Sequence, residues 1–203
     1  MAVPPFGAGQ RIGLFGGSFN PAHEGHRAVA LCALSRLGLD WVWWLVSPQN
    51  PLKPAGDYDD FDDRLAGAKR LAAHPRFIVT DLERKLHTRT TAETLLALRP
   101  VLARGRFVWI MGADSFAHLH KWNDWIDIPA ALPLAVFARP GFSLRALEGP
   151  ASLRLKRARI PAEDARLLAD MAPPAWVFLP MPLRKESSTA IRAGRGRHRP
   201  VIR

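Results

Sequence analysis

The stretch GLFGGSFNPAHEGHRAVA, Gly13 to Ala30, joins an apolar run to an apolar-periodic one, and its reading decides how the rest of the chain is read. RIGLF (Arg11 to Phe15) has the look of a short buried strand. Gly16 and Gly17 directly follow it, where the backbone must turn sharply and come close to something. Pro21 ends the extended part, and a helix can begin near His23 to Gly25 and run to Leu37. Backbone N–H groups in such a turn, together with a helix N-terminus, make a ready anion site, so a phosphate is the expected occupant. His23 and His26 stand at i and i+3, close enough to share one face of the opening turn and to donate hydrogen bonds to a phosphoryl group as its charge builds up. By itself an HxxH pair fits helix capping or packing equally well.

Three better-known sites do not fit these letters. The dinucleotide fingerprint needs G-x-G-x-x-G after a strand, whereas Gly7 and Gly9 come before it. An NTPase phosphate loop needs a lysine and a hydroxyl after its last glycine. A zincin needs H-E-x-x-H, and HEGH brings the second histidine one residue early.

Outward from this stretch, short β-branched and aromatic runs alternate with longer amphipathic segments. The runs are WVWWLV (Trp41 to Val46), RFIVTD (Arg76 to Asp81), RFVWIMG (Arg106 to Gly112), LPLAVFAR (Leu132 to Arg139) and AWVFLP (Ala175 to Pro180). Several are apolar throughout, as expected of parallel strands covered on both faces. Helical patterns lie over Phe61 to His74, Thr91 to Ala103, Ser115 to Trp122 and Ala162 to Met171. Strand and helix in repeated alternation call for right-handed crossovers and a doubly wound α/β sheet, whose ligands bind beyond the carboxyl ends of the strands. Ser47 to Asp60 reads as a loop, and Arg139 to Arg159 as an irregular basic segment.

Composition bounds the function. At 203 residues, 48% hydrophobic and with seven tryptophans, the chain is expected to fold as one domain, with a short extension over 1–10 and a basic tail over 194–203. A lone cysteine, Cys32, forms no internal disulfide, and no Cys/His cluster has zinc-finger spacing, so a reducing cytoplasm is the expected location. The longest apolar region, Ala28 to Val46, is broken by Arg36, Gly38 and Asp40, which argues against a membrane span. The net charge is +11, but five arginines (Arg192, Arg195, Arg197, Arg199 and Arg203) fall in the last twelve residues. The remaining charge suits phosphorylated small molecules. A non-catalytic nucleic-acid-binding protein using the tail and tryptophans is the competing class. Tail and tryptophans do not interleave, however, and nucleic acid is not the expected partner.

A second motif lies near the other end: KESSTAIR (Lys185 to Arg192) sets three hydroxyls before a short helical pattern and an arginine one turn on, a combination suited to an anion. G-G-S-F-N-P-x-H-x-G-H and S-S-T-x-I-R together resemble the signatures of the HxGH nucleotidyltransferase superfamily, with Glu186 where an apolar residue is usual. MGADSFAHLHKWNDW (Met111 to Trp125) resembles the G-A-D…W segment of bacterial nicotinate-nucleotide adenylyltransferases. RTTAETLLAL resembles that family's Y-T-x-D-T-L run, SPQNPLKP its P-x-x-x-P-H-K segment with Leu52 replacing the histidine, and FARPG its R-P-G strand end. The resemblance runs from about Gly13 to Arg192. Phosphopantetheine adenylyltransferase, which shares only the first and last motifs, is the alternative.

The resemblance implies a Rossmann-like fold and adenylyl transfer from ATP to nicotinate mononucleotide, with Mg²⁺ entering with ATP and few direct protein ligands. Carried over by motif, His23 and His26 flank the α-phosphate. Gly16, Gly17, Ser18, Arg139, Ser187, Ser188, Thr189 and Arg192 serve ATP; Lys53, Thr91, Asp114 and Trp122 serve the nicotinate nucleotide. No membrane partner is expected, and a homo-oligomer stays open.

Overall fold

The computed structural model describes residues 3–48, 59–182, 188, 191 and 192. Among them seven strands form one parallel sheet: β1 (Arg11–Gly17), β2 (Trp41–Val46), β3 (Phe77–Thr80), β4 (Arg106–Gly112), β5 (Leu134–Phe137), β6 (Arg159–Ile160) and β7 (Trp176–Leu179). Their order across the sheet is β3-β2-β1-β4-β5-β7-β6. From β1 the chain steps outward through β2 to β3, then returns to place β4 on the other side of β1. The strand order therefore reverses between β1 and β4, and a crevice opens at their carboxyl ends.

Both faces of the sheet are buried, which accounts for strand sequences without polar alternation. In WVWWLV the pleat sends Trp43 and Leu45 to one face and Val42, Trp44 and Val46 to the other. The Trp44 face, shared with Phe15 and Ile110, is covered by helix α1 (Glu24–Arg36) through Val29, Ala33 and Leu34, and by α2 (Phe61–Leu71) through Ala68. The Trp43 face, shared with Ile12, Leu14 and Trp109, takes α4 (Thr91–Leu102) through Leu95 and Leu98, and α5 (Ala113–Ala117) through Phe116. Each such large side chain contributes about 1.5–3 kcal/mol through burial. Midway along β1, Gly13 is required by packing: a Cβ would run into Ile110 and lie 2.8 Å from Leu39.

The sequence-based elements depart from the structure in identifiable places. The strand at β1 extends through Gly16 and Gly17, which pair with Leu45 and Val46, so the turn starts only at Ser18. The segment 139–159, expected to be irregular, holds α7 (Ser143–Glu148), α8 (Pro150–Arg154) and the start of edge strand β6. Five- and six-residue helices show too few turns for a hydrophobic period, although Pro150 marks a helix start. The helix expected over 162–171 is a 3-10 helix, Ala162–Asp170, whose buried Ala165 and Leu168 are spaced by three. The helix expected over 115–122 breaks into α5 and a 3-10 turn, Leu119–Lys121. Two further short helices, α3 (Leu82–Leu86) and α6 (Asp127–Ala131), had no sequence signal. Before β1, Phe6 packs edge-on against Trp43 and Phe107, so residues 3–10 close one end of the core. Among the described residues no helix is long and apolar enough to cross a membrane.

Candidate active site

The carboxyl ends of β1 and β4 open into a cavity of about 620 Å³, within the range of small-molecule and cofactor sites. Its floor is the start of α1. His23 is the N-cap of that helix: its Nδ1 accepts a hydrogen bond from the Gly25 N–H at 3.2 Å, and the His26 Nδ1 accepts from the His23 N–H at 3.2 Å. The two rings lie against each other with centroids 3.8 Å apart and planes tilted by 38°. A neutral imidazole that accepts through Nδ1 carries its proton on Nε2, so both rings are set as Nε2–H donors. Burial, then the neighbouring His23 and the Arg139 charge, hold His26 well below the usual imidazole range, and it is neutral at pH 7. Capping and donation are therefore one arrangement here, since the caps fix the tautomers.

The glycine between the histidines makes room for a charge. A Cβ on Gly25 would lie 2.9 Å from Arg139 Nη1 and 2.9 Å from the His23 ring. Arg139, just past β5, thus lays its guanidinium over the first turn of α1. Its Nε is 3.7 Å from Asp114 Oδ1 on the first turn of α5, a loose ion pair that sets the arginine's lateral position. At Gly112 a side chain would run into Asp114 and the Arg139 stem.

Gly16, Gly17 and Ser18 line the cavity where β1 ends. Packing demands glycine at Gly16, where a Cβ would sit 2.7 Å from the Trp109 ring, and favours it at Gly17, where a Cβ would press on Phe19 at 3.2 Å. Phe19 itself has a positive φ of 46°, a costly conformation for a bulky side chain. It is buried between Phe15, Trp44 and His26, and this packing over-determines the turn.

On the opposite wall, α4 starts with a reciprocal Thr90–Glu93 capping box that leaves Thr91 facing the cavity. Half-buried Trp122 and Trp125 both pack against the core, and of the two only Trp122, extended after the 3-10 turn, also lines the cavity. From the C-terminal motif, the Ser188 hydroxyl donates to the Pro21 carbonyl at 3.0 Å and lines the cavity, and Arg192 donates to the Asn20 carbonyl. Lys53, Ser187 and Thr189 lie outside the described residues.

Glu83 and His118 are among the cavity residues that the motifs do not single out. Glu83, on α3, is 5% exposed; burial pushes its carboxyl up to about 7, opposed by a hydrogen bond with the Ser47 side chain. His118 also lines the cavity, its Nδ1 2.9 Å from the Asp114 carbonyl oxygen.

A cytidylyltransferase-like family model matches residues 14–194. A protein of Roseobacter denitrificans named "Probable nicotinate-nucleotide adenylyltransferase" is 51% identical over 97% of this chain and 98% of its own. One of the same name from Cereibacter sphaeroides is 53% identical over 90% and 96%. The chain belongs to the nicotinate-nucleotide adenylyltransferase family. The fold agrees: a nicotinic acid mononucleotide adenylyltransferase of Plasmodium falciparum, solved in complex with NaAD, superposes with a TM-score of 0.69 at 15% identity, covering 91% of this chain and 83% of that one. In this member of the cytidylyltransferase-like group, the family's two histidines and the R-P-G arginine meet at one helix start. The G-A-D carboxylate meets that arginine from the next strand end.

Proposed function

We propose that the chain transfers the adenylyl group of ATP to nicotinate mononucleotide, giving nicotinate adenine dinucleotide and pyrophosphate for NAD biosynthesis in the cytoplasm. The observation that carries this reading is the pair of imidazoles locked as Nε2–H donors at the switch-point cavity, with a guanidinium beside them.

A phosphate oxygen of the mononucleotide attacks the α-phosphorus of ATP. The new P–O bond forms as the bond to the β-phosphate breaks, and pyrophosphate leaves with the electron pair. The nucleophile is already anionic at pH 7, so alignment and charge stabilisation carry the rate rather than a general base. His26, with His23 lying against it, donates to the α-phosphate as its negative charge grows. Gly16, Gly17 and Ser18 offer backbone to the phosphates, and Arg139, Ser187, Ser188, Thr189 and Arg192 hold the β- and γ-phosphates. Lys53 neutralises the mononucleotide phosphate, Thr91 and Asp114 position the nucleotide, and Trp122 offers an indole face to the electron-poor pyridine.

Mg²⁺ enters as the complex with ATP. Among the described residues no group of three His, Cys, Asp or Glu side chains could hold a metal ion. In this reading the cation keeps most of its water and phosphate ligands, as Mg²⁺ commonly does.

The test is pyrophosphate release with Mg²⁺–ATP and nicotinate mononucleotide, nicotinamide mononucleotide or phosphopantetheine as acceptor. Preference for the first is expected. Preference for phosphopantetheine would transfer the reading to the alternative family, and turnover with none would leave a nucleotide-binding scaffold.

A further inference from the structure

Arg64, in the first turn and a half of α2, is 3% exposed although it sits in the charged sequence FDDRLAGAKR. Its guanidinium reaches main-chain carbonyls of three separate segments. Nη1 donates to Ser18 at 2.7 Å and to Ser47 at 2.8 Å, Nη2 to Pro48 at 2.6 Å, and Nε to Asp59 at 3.2 Å. The geometry points to Arg64 as a positioning residue for the reaction: it holds the Gly17–Ser18 turn, and so the triphosphate site, against the end of β2.

The backbone explains why such a group is needed. The β1–β2 ladder runs to Gly17 opposite Val46, and the Ser47 N–H adds a last rung to the Gly17 carbonyl at 3.0 Å. Past that point the strands part, Ser18 turning toward α1 and Ser47–Pro48 leaving the sheet, and among the described residues their carbonyls have no ladder partners. Arg64 supplies donors from outside the sheet to both strand ends at once. Only a planar fork of five N–H groups reaches these acceptors together; a lysine has three donors on one atom. Arg64 does not itself line the cavity but lies along a neighbouring cleft with Asp60 and Asp63, so it acts through the two lining residues it holds, Ser18 and Ser47. Ser18, in turn, is one residue from Phe19, whose positive-φ conformation sets where His26 packs.

This inference rests on the proposed adenylyl transfer, and two variants separate it from that reading. Arg64→Lys keeps the charge but not the fork. Leu168→Ala opens the core on the 3-10 helix, at a residue that does not line the cavity. Misplacing the turn by about an ångström is expected to lower kcat/KM for ATP on the order of 100-fold in Arg64→Lys, and to weaken binding of α,β-methylene-ATP by calorimetry. Leu168→Ala should lower Tm at least as much while leaving kcat/KM unchanged. Unchanged kcat/KM and nucleotide affinity in Arg64→Lys would make Arg64 structural only and overturn the inference. If the wild type gives no turnover, the proposed function fails, but the α,β-methylene-ATP affinities of wild type and variant still decide the role of Arg64. Should Arg64→Lys not fold, hydrogen exchange of the wild type decides: α,β-methylene-ATP must protect peptides spanning Asp60–Arg64, which lie off the cavity, together with the turn at Ser18. Protection of the turn alone would refute the coupling.

Discussion

At the first turn of α1 the two histidines are each fixed by a hydrogen bond with the backbone, and Arg139 lies over Gly25 where a side chain would not fit. Along the facing wall, Glu83, Asp114 and Trp122 stand on or just past α3, α5 and a 3-10 turn, none longer than five residues. Trp122 and Asp114 also keep substantial exposure. The difference teaches where pre-organisation is needed. Charge builds up at the α-phosphate during the reaction, and a donor that had to reorient would lose part of its effect. The wall proposed to bind the pyridine nucleotide meets a group that does not change, so ground-state fit is enough there.

Substituting His26 tests the floor most severely. His26→Ala removes a fixed donor together with the acceptor that caps the His23 N–H. By analogy with the loss of one donor to a developing oxyanion, kcat should fall by about 10²–10³-fold, with KM for ATP little changed, in steady-state assays of pyrophosphate release. A loss confined to KM would mean that the floor binds the ground state as the wall does, and the contrast would disappear.

How legible each region was follows from its construction. The floor is carried by a contiguous run, Gly13 to Ala30, in which a strand, a turn and a helix start follow one another within eighteen residues, so both histidines stand in one motif, although their spacing alone does not tell a donor pair from a helix cap. Even there the turn begins two residues later than the glycines suggest: the pairing of Gly16 and Gly17 with β2 is a tertiary fact, and the missing side chain of Gly16 answers to Trp109, which sequence distance hides. On the wall, Thr91, Asp114 and Trp122 were found through motif letters rather than periodicity. Glu83 was not found because the five-residue α3 carries no period. Arg64 reads as one more charge on a polar helix start. Its burial depends on α2 crossing the ends of β1 and β2, which no local pattern encodes.

Glu83 is the place where the wall's chemistry diverges from that of the floor, and pH separates them. In the fold its carboxyl holds a proton up to about 7, against 4.5 for an ordinary glutamate. Between those values the folded chain keeps a proton that the unfolded chain has lost. Its contribution to stability is full below about 4.5 and is lost as pH rises to about 7, by roughly 3 kcal/mol in all. Glu83→Gln removes that slope. In urea unfolding at pH 5 and pH 8, the variant should gain stability relative to wild type at the higher pH; a difference between the two proteins that does not change with pH would show that Glu83 is not the titrating group.

The smallest effect is expected at Trp122, and its size sharpens the comparison. Stacking of an aromatic side chain on a nucleotide base is worth about 1–3 kcal/mol, so Trp122→Ala should raise KM for nicotinate mononucleotide about tenfold. KM for ATP and kcat should stay close to wild type, because the stack is equally strong in ground and transition states. Trp122→Phe should fall between, retaining a smaller ring. If kcat fell instead, the indole would be aligning the attacking phosphate, and the wall would share the precision of the floor. If neither parameter moved, Trp122 would serve, like Trp125, only the edge of the core against which both already pack.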